Sequence, residues 1–502
     1  MAVEPEQESP PLDPPKNDPR RGEGRREIER LRVDRVGLGQ LVVMLVAGMV
    51  LSVAAISVAV VRSFALGANP SPILTVHIGP WTTYVSEQMP VAALVIVALA
   101  GMAGVAAAAV SLEVGTTLLL SLNPRRRSLA AYRRVRDESQ ASLEPVRVTV
   151  VIPAHNEEDT LPATLEGLEN QTRRPDRTIV VADNSTDRTV EIAREHGVEV
   201  FETVSNWKKK AGALNQALSV ILSDKGPSDA ILLMDADTVL SPRFIEVAAC
   251  GLDEDPELAA VGARFSGAEG HGMIGQFQRN EFLRYSAQIS ARRGRVFVLT
   301  GTATMFRADA LLDIAAARGV YIPGQSGQVY DTAALTEDNE ITLALKSLGG
   351  EMISPDECGD VTEIMPTWRA LWVQRQRWQR GALENLSQYG VTASTVRYWG
   401  QQFGIGYGVV ALNSSIAFMV ITAISVDAWI WFPFWMAVTA MFVIERTITV
   451  WHGGWRARLL SVVLIPEICY AVFLQAVFVK CLFDITLQRT AKWGHAGEVS
   501  KP

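Results

Sequence analysis

Two aspartates one residue apart, Asp235 and Asp237, could bind a divalent cation. They follow the apolar run 230–234, which predicts a buried β-strand. Carboxylate oxygens suit a hard ion such as Mg²⁺ or Mn²⁺, and such an ion can neutralise the charge of bound phosphate groups. An aspartate at the end of a strand can equally cap a following helix, so the pair alone does not identify a metal site.

Two other polar clusters also come directly after predicted strands. The segment 155–158 (His-Asn-Glu-Glu) follows one β-branched run, and the segment 183–187 (Asp-Asn-Ser-Thr-Asp) follows the next. In open α/β sheets, ligands bind beyond the carboxyl ends of the strands. We therefore expect both clusters to converge with the aspartate pair on one site, although the second cluster could also form a simple Asx turn.

Lys210 and the segment 336–338 (Thr-Glu-Asp) add a cation and further carboxylates. Lys210 begins a predicted helix, where its ammonium group and the helix N-terminus could meet a pyrophosphate. Together with Lys208 and Lys209 it could also form a solvated basic turn. The Thr-Glu-Asp segment could supply a general base, because removing a proton from a sugar hydroxyl needs a positioned carboxylate. A helix N-cap at Thr336 fits the same residues.

A segment rich in tryptophan and arginine follows. Three tryptophans alternate with four arginines, at Trp368, Arg369, Trp372, Arg375, Arg377, Trp378 and Arg380. The pattern is typical of an amphipathic helix that lies at a membrane interface. A tryptophan face could also stack on a sugar ring, with Gln374 and Arg377 as ligands of phosphate or hydroxyl groups.

These segments require a scaffold that places them together. Strands and helices are predicted to alternate, with strands at 146–152, 178–182, 198–201 and 230–234 and helices at 162–170, 187–196 and 210–223. This alternation predicts a parallel sheet with helices on both faces.

Apolar runs that are candidate membrane spans flank this region. They cover residues 37–61, 91–122, 402–426, 429–444 and 459–483. Arginines precede the first run and follow the second, whereas the segment 63–90 between these runs has no Lys or Arg. This distribution places the N-terminus and the large polar region in the cytoplasm. Lys480, Arg489 and Lys492, near the C-terminus, leave the number of C-terminal spans open.

The composition limits the classes of partner. A net charge of −7 gives no reason to expect nucleic acid. The cysteines show no metal-ligand spacing and are predicted to be reduced core or membrane residues, at Cys250, Cys358, Cys469 and Cys481. The N-terminal arm, rich in Pro, Glu and Asp, is predicted to be disordered.

The order of these motifs resembles the processive branch of glycosyltransferase family 2. The matching segments are 150–157 (Val-Val-Ile-Pro-Ala-His-Asn-Glu), 181–187, 210–215 (Lys-Ala-Gly-Ala-Leu-Asn), 235–237, 336–338 and 374–378 (Gln-Arg-Gln-Arg-Trp). The branch contains cellulose, chitin, hyaluronan and poly-N-acetylglucosamine synthases. The resemblance implies an α/β GT-A (Rossmann-like) cytoplasmic domain flanked by transmembrane helices. The family usually has Gly where this chain has Asn184, which tolerates the left-handed backbone that the turn requires.

The resemblance also implies a role for each matching residue. The uracil, ribose and phosphates of a UDP-sugar would be held by Ala154, Glu157, Asp183, Lys210 and Asp235. Asp237 would bind Mg²⁺ or Mn²⁺ together with Asp235. Asp338 would be the base that deprotonates the acceptor hydroxyl, with inversion at the anomeric carbon. The acceptor and pyrophosphate end of the site would be formed by Thr336, Glu337, Gln374, Arg377, Trp378 and Gly301.

The implied protein is a membrane-bound inverting enzyme that polymerises sugar from a UDP-sugar into an exopolysaccharide. The Thr-Glu-Asp motif is similar to that of cellulose and poly-N-acetylglucosamine synthases. The segment 365–368 (Met-Pro-Thr-Trp) looks more like the second group and favours UDP-N-acetylglucosamine. The alternatives are transfer of one sugar to a lipid and a cellulose-type synthase that uses UDP-glucose. An inactive scaffold or transporter would not need the aspartates, and a metal-dependent hydrolase would not need the tryptophan-rich helix.

The implied layout is a multi-pass protein of the plasma (inner) membrane. It has a basic arm (1–36), two transmembrane helices (37–122), a catalytic domain (146–365), interfacial helices (366–400), about three further spans (401–485) and a tail (486–502). Its expected partners are the UDP-sugar, a growing polysaccharide or lipid acceptor, the bilayer and a small accessory membrane subunit.

Overall fold

The computed structural model describes residues 72–78, 81–86, 145–292, 294–426, 429–431 and 433–489. The predicted arm and the first two predicted spans lie outside the described residues, as does the chain beyond residue 489. The domain limits that depend on them remain predictions.

The described part of the chain contains short strands joined largely by helices. In chain order the strands are β1 (Pro72–Ile78), β2 (Trp81–Ser86), β3 (Arg147–Ala154), β4 (Arg177–Ala182), β5 (Glu199–Glu202), β6 (Asp229–Met234), β7 (Val239–Leu240), β8 (Leu258–Gly262), β9 (Arg264–Gly267), β10 (Ala303–Arg307), β11 (Glu351–Ile353), β12 (Gly359–Thr362) and β13 (Trp429–Trp431).

The α-helices of the described residues fall into a catalytic-domain set and a C-terminal set. The first comprises α1 (Leu161–Glu169), α2 (Thr189–Glu195), α3 (Lys209–Ile221), α4 (Phe244–Glu254), α5 (Gly272–Ala291), α6 (Ala308–Ala317) and α7 (Glu337–Ser347). The second comprises α8 (Trp368–Tyr389), α9 (Val396–Val426), α10 (Pro433–Thr449), α11 (Gly454–Val462) and α12 (Leu464–Thr486). All four predicted strands and all three predicted helices are present. Each of their ends lies within two residues of its predicted position.

The central sheet has seven strands in the order β11-β8-β10-β6-β3-β4-β5. Strands β3, β4, β5 and β6 are parallel, as predicted. The expectation of a wholly parallel sheet is wrong, because β10 runs antiparallel to both β6 and β8. The position at which β10 begins explains its direction. Thr302 O, directly before β10, accepts a hydrogen bond at 2.8 Å from Asp235 N, directly after β6. The chain therefore re-enters the sheet at the carboxyl end of β6 and can only run back along it.

Apolar residues of the inner strands pack on both faces of the sheet, as expected for strands covered by helices on each side. On one face, Val151 and Leu233 lie in a cluster with Leu214 and Leu218 of α3. On the other face, Val150, Ile152 and Leu232 lie in a cluster with residues of α1 and α4. These two layers fix the strand ends from which the polar clusters project. Cys250 on α4 is exposed, so its predicted core position is wrong.

Of the helices in the described residues, α12 alone is long and apolar enough to cross a membrane. The predicted run 402–426 lies within α9. The run 429–444 is divided, because Trp429–Trp431 pairs in parallel with β2 and α10 begins only at Pro433. The run 459–483 is also divided, at Val463 between α11 and α12. Pro466 explains this break, since proline cannot continue a helix from the preceding turn.

Candidate active site

A cleft of about 950 Å³ opens at the carboxyl ends of β3, β4 and β6. Its walls include predicted site residues from every motif: Ala154, Glu157, Asp183, Lys210, Asp235, Asp237, Gly301, Thr336, Glu337, Asp338, Gln374, Arg377 and Trp378. The structure thus brings together side chains that are up to 224 positions apart in sequence, between Ala154 and Trp378. The carboxyl edge of the sheet positions the first half of this set, and helices α7 and α8 position the second half.

Other members of the polar clusters lie outside the cleft and hold its loops together. Asp187 Oδ2 accepts a hydrogen bond from Glu158 N at 3.0 Å, and Asp187 Oδ1 accepts one from Thr189 N at 3.0 Å. Asn156 Oδ1 accepts from Thr186 N at 2.8 Å. These bonds join the loop after β3 to the loop after β4, so the clusters contain both cleft residues and turn residues.

Asp183 is buried at one end of the cleft and is fixed by several donors. Its Oδ1 accepts hydrogen bonds from Thr203 Oγ1 at 2.8 Å, Asn206 Nδ2 at 2.8 Å and Asn184 Nδ2 at 3.0 Å. Asn184 has φ of 53°, so the left-handed turn expected from the sequence is present. His155 Nδ1 lies 2.5 Å from Asp183 O and joins the two neighbouring strand ends.

Lys210 connects two motifs. Its Nζ pairs with a carboxylate oxygen of Asp235 and lies 3.5 Å from Glu337 Oε1. Burial by itself disfavours the charge on Lys210, but the Asp235 and Glu337 carboxylates outweigh this effect and raise the pKa of Lys210. The solvated-turn interpretation therefore holds for the exposed Lys208 and Lys209 and not for Lys210. No sequence pattern indicated the pair between Lys210 and Glu337.

The two aspartates after β6 stand in a strongly negative part of the cleft. Burial raises the pKa of Asp235 to about 6, and burial followed by the nearby Glu363 raises the pKa of Asp237. The same two aspartates contribute to a raised pKa at Glu157, whose main cause is burial. A divalent cation would relieve this repulsion, and carboxylate oxygens are its preferred ligands.

The residues present fit such a cation only in part. Within the described ranges no group of three or more His, Cys, Asp or Glu side chains has the arrangement of a complete metal site. Two carboxylates from Asp235 and Asp237 would leave several positions of an octahedral ion open. Phosphate oxygens and water are the usual ligands at such positions, so the site suits a metal that arrives with a diphosphate.

Asp338 faces the same cleft from the start of α7. Burial and then the neighbouring Glu337 raise the pKa of Asp338 to about 6. A Cβ atom built on Gly301 would lie 3.4 Å from Asp338 Cβ, so the loop before β10 packs directly against this aspartate. Thr336 is the backbone N-cap of α7, but its hydroxyl makes no capping bond and instead lies 3.3 Å from Asn385 Nδ2.

Helix α8 packs closely on the start of α7. A Cβ atom at Gly381 of α8 would lie only 2.4 Å from Thr336 Oγ1, so a side chain here would push the helices apart. Asn385 Nδ2 also donates to Thr336 O at 3.1 Å and to Asn339 Oδ1 at 3.1 Å. This contact sets the position of Gln374, Arg377 and Trp378 relative to Asp338.

The three tryptophans of α8 have different surroundings. Trp378 lines the cleft, and the Arg375 guanidinium lies over its ring at 4.2 Å from the centroid. Trp368 and Trp372 pack edge-on against Phe473 of α12, with ring centroids 5.2 and 5.5 Å apart. A sugar-stacking role is therefore open only to Trp378, and the other two attach α8 to α12.

Helix α5 forms a wall of the cleft that the sequence did not reveal. Glu281, Arg284 and Tyr285 all line the cleft. Arg375 Nη2 donates to Glu281 Oε2 at 3.0 Å, and Arg284 Nη1 donates to Glu467 of α12 at 3.1 Å. No motif spacing marks these residues, because α5 is polar over much of its length and its partners are remote in sequence.

Comparison with known proteins identifies the family of the central region. The model for "Glycosyl transferase family 2" matches residues 149–314. A poly-beta-1,6-N-acetyl-D-glucosamine synthase of Staphylococcus aureus (strain MSSA476) is 25% identical over 246 residues, which cover 48% of this chain and 55% of that protein. The probable glycosyltransferase YdaM of Bacillus subtilis (strain 168) is 28% identical over 246 residues, 47% of this chain and 55% of that protein. The chain thus matches about half the length of these curated relatives.

Two solved structures are similar to parts of this chain. The mannosyltransferase PcManGT from Pyrobaculum calidifontis, in complex with GDP-Man and Mn²⁺, is 17% identical with a TM-score of 0.46, covering 77% of this chain and 99% of that one. S. aureus TarS 1–349, in complex with UDP, is 16% identical with a TM-score of 0.35, covering 70% of this chain and 94% of that one.

The matched region coincides with most of the sheet and with one half of the cleft. Residues 149–314 include Asp183, Lys210, Asp235 and Asp237, while Asp338 and the segment 374–378 follow it. The mixed α/β sheet agrees with the GT-A fold that the resemblance implied. The family that the resemblance indicated is confirmed for this region: residues 149–314 belong to a glycosyl transferase family 2 domain.

Proposed function

We propose that the chain is a membrane-bound inverting glycosyltransferase that extends a β-linked polysaccharide from a UDP-sugar, with UDP-N-acetylglucosamine favoured. One observation carries the proposal. A single cleft collects the aspartate pair, Lys210, Asp338 and the Gln374–Trp378 segment, which are the groups needed for a diphosphate, a base and an acceptor. The poly-N-acetylglucosamine synthases among the relatives support the choice of sugar.

The donor end has the groups to hold a nucleoside diphosphate. Asp235 and Asp237 would hold Mg²⁺ or Mn²⁺, which when bound supplies positive charge to the diphosphate. Lys210 stands beside Asp235 and adds a fixed cation for the phosphate oxygens. Ala154, Glu157 and Asp183 line the adjacent end of the cleft and would receive the uracil and ribose.

Asp338 would act as the general base. The acceptor hydroxyl oxygen forms a bond to the anomeric carbon while the bond from that carbon to the diphosphate oxygen breaks, and UDP leaves. The hydroxyl proton passes to Asp338. Attack opposite the leaving diphosphate inverts the anomeric configuration. A carboxyl pKa of about 6 keeps Asp338 deprotonated at neutral pH and brings it close to the value at which a base is most effective.

The acceptor end lies between α8 and α5. Trp378 offers a ring face on which a sugar can stack, and Gln374 and Arg377 lie beside it to bind hydroxyl or phosphate groups. This end also includes Arg446 of α10, so the cleft continues toward the C-terminal helices. A path of this kind suits a growing chain that leaves through a membrane passage, and we propose that the catalytic domain faces the cytoplasm. A small accessory membrane subunit would complete the assembly.

A lipid acceptor is the second candidate. The same opening toward α10 would admit a lipid phosphate, and Arg446 could bind it. In that case the enzyme would transfer one sugar and stop. A cellulose-type synthase using UDP-glucose fits the same cleft. The size and sugar of the product distinguish these alternatives.

The Asp237→Asn variant tests the proposed metal site. We expect its rate of UDP release to fall by more than about 100-fold, since even groups that only support a metal ligand are commonly worth about 10- to 100-fold. The rate is measured against the concentration of Mn²⁺, after treatment with a chelator. Asp159→Asn is the matched control, because Asp159 is exposed and does not line the cleft. Equal activity of the two variants would reject Asp237 as a ligand.

A further inference from the structure

We propose that Trp207 is the stacking surface for the nucleobase of the donor, an inference that rests on the proposed use of a nucleotide sugar. Trp207 is 79% exposed, and no other large apolar side chain within the described ranges has a higher exposed fraction. It also lines the cleft. An indole ring exposed to this degree, at the mouth of a binding cleft, offers a flat apolar face to a flat ligand.

The loop that carries Trp207 is held in place by side-chain hydrogen bonds. Asn206 Nδ2 donates to Asp183 Oδ1 and to Lys209 O, each at 2.8 Å. Asn206 O accepts from Asn184 Nδ2 at 2.8 Å, and Asn206 Oδ1 accepts from Lys208 N at 3.0 Å. Both the amide nitrogen and the amide oxygen of the Asn206 side chain therefore form hydrogen bonds to the protein. The exposure of Trp207 does not come from a loosely attached loop.

Backbone geometry shows the same constraint. Ser205 has φ of 48° and Lys209 has φ of 57°, so both adopt the left-handed conformation without being glycine. Such conformations persist where the surrounding structure enforces them and are common at ligand sites. A Cβ atom on Gly212 would lie 2.2 Å from Asn206 Oδ1, so glycine at the start of α3 permits the close approach of this loop.

The position of Trp207 points to the base rather than to the sugar or the phosphates. Its neighbour Asn206 is bonded to Asp183, on the side of the cleft that also contains His155 and Ala154. Lys210, which pairs with Asp235 next to the proposed diphosphate position, is only three residues farther along the chain. A nucleotide with its phosphates at Lys210 and its ribose near Asp183 would therefore bring its base to Trp207.

A membrane surface is the competing partner for Trp207. Lys208 and Lys209 are exposed beside it, and a tryptophan next to lysines can also lie among lipid headgroups. The cleft position and the bond between Asn206 and Asp183 favour the nucleobase. Stacking of one base on an aromatic ring is commonly worth about 5- to 100-fold in binding.

The test measures binding of UDP and of inorganic pyrophosphate, each with Mn²⁺, by calorimetry on the full chain in nanodiscs. We expect Trp207→Ala to weaken UDP binding by about 10-fold, Trp207→Phe to retain most of it, and pyrophosphate binding to stay unchanged in both. Trp455→Ala is the matched control, because Trp455 is 68% exposed and does not line the cleft. The KM for the donor should rise in Trp207→Ala, with kcat within about twofold of the wild type.

Four results would overturn the inference. Unchanged UDP affinity in Trp207→Ala, with normal binding by the wild type, would reject the stacking role and leave the proposed function intact. An equal loss for UDP and pyrophosphate would show a general disturbance of the site. An effect of the variant that follows the anionic lipid content of the nanodiscs would assign Trp207 to the membrane surface. If the wild type binds neither ligand, the proposed function fails as well.

Discussion

Replacement of Asp338 by Asn is expected to reduce sugar transfer by about 100- to 10,000-fold, the contribution typical of a general base. Asparagine keeps the shape of the side chain but cannot accept the proton of the acceptor hydroxyl. Because the proposed role of Asp338 is to accept the acceptor proton in the transition state and not to hold the nucleotide, UDP binding should change by less than about threefold. The two quantities are measured as UDP release under turnover and as UDP affinity by calorimetry.

Two further variants separate a chemical role from a structural one. Asp338→Glu keeps the carboxylate but moves it, and should recover a part of the lost rate. Asp313→Asn changes a carboxylate on α6 that does not line the cleft and should leave the rate unchanged. An Asp338→Asn enzyme that keeps more than a tenth of the wild-type rate would rule out Asp338 as the base.

The pH dependence of kcat/KM follows from the same residue. Burial raises the pKa of Asp338 to about 6 in the free protein. A base works only when deprotonated, so kcat/KM should fall as the pH drops through about 6, by about tenfold per pH unit below it. Asp235 has a similarly raised pKa, and its protonation would add to the same acid limb. A flat profile between pH 5 and 7 would contradict the assignment.

Replacement of Glu340 by Gln is expected to cause the largest loss of stability. Glu340 and Arg318 are both fully buried, and Arg318 donates to the two carboxylate oxygens at 2.8 and 2.7 Å. Tyr389 of α8 donates to the same carboxylate at 2.6 Å. Removing one partner leaves a buried guanidinium without its counter-charge, which commonly costs about 3–5 kcal/mol. The apparent Tm in nanodiscs should fall by roughly 5–10 °C.

The chain offers a matched exposed pair as control. Arg177 also donates two hydrogen bonds, from Nε and Nη2, to the carboxylate oxygens of Glu199 at 2.7 Å, but this pair lies at the surface. Glu199→Gln should therefore cost less than about 1 kcal/mol. The double variant Arg318→Met with Glu340→Met should be milder than Glu340→Gln alone, because it removes both buried charges. If Glu340→Gln and Glu199→Gln lower Tm equally, the buried pair does not contribute the stability expected of it.

The parallel half of the sheet was predictable because its signals are local. Strands β3, β4 and β6 are short β-branched or apolar runs, each followed by polar residues, and helices fill the intervals. The left-handed turn at Asn184 followed from the family resemblance, because asparagine tolerates the conformation that glycine usually adopts there. The direction of β10 was not predictable in this way, since a buried run such as Ala303–Arg307 reads the same in either direction.

The parts of the cleft that escaped prediction depend on contacts between distant residues. Lys210 was assigned to phosphates, yet its pairing with Glu337 crosses 127 positions of sequence. From the sequence, Trp368 and Trp372 are as suitable for sugar stacking as Trp378 is. Only their packing against Phe473 distinguishes them from Trp378. No sequence motif marks Glu281 and Arg284 of α5, which also line the cleft. Residue type and spacing identify candidates, and tertiary packing decides which of them face the cleft.

The measurement that tests the central claim most directly is product analysis with purified protein in lipid nanodiscs. UDP-N-acetylglucosamine and UDP-glucose are supplied separately with Mg²⁺ or Mn²⁺, and both UDP release and product length are followed, with Asp338→Asn as the inactive reference. We predict a long polymer from UDP-N-acetylglucosamine that is absent with the variant. UDP release with products of a single added sugar, or no metal-dependent turnover with either donor, would contradict the proposed polysaccharide synthase.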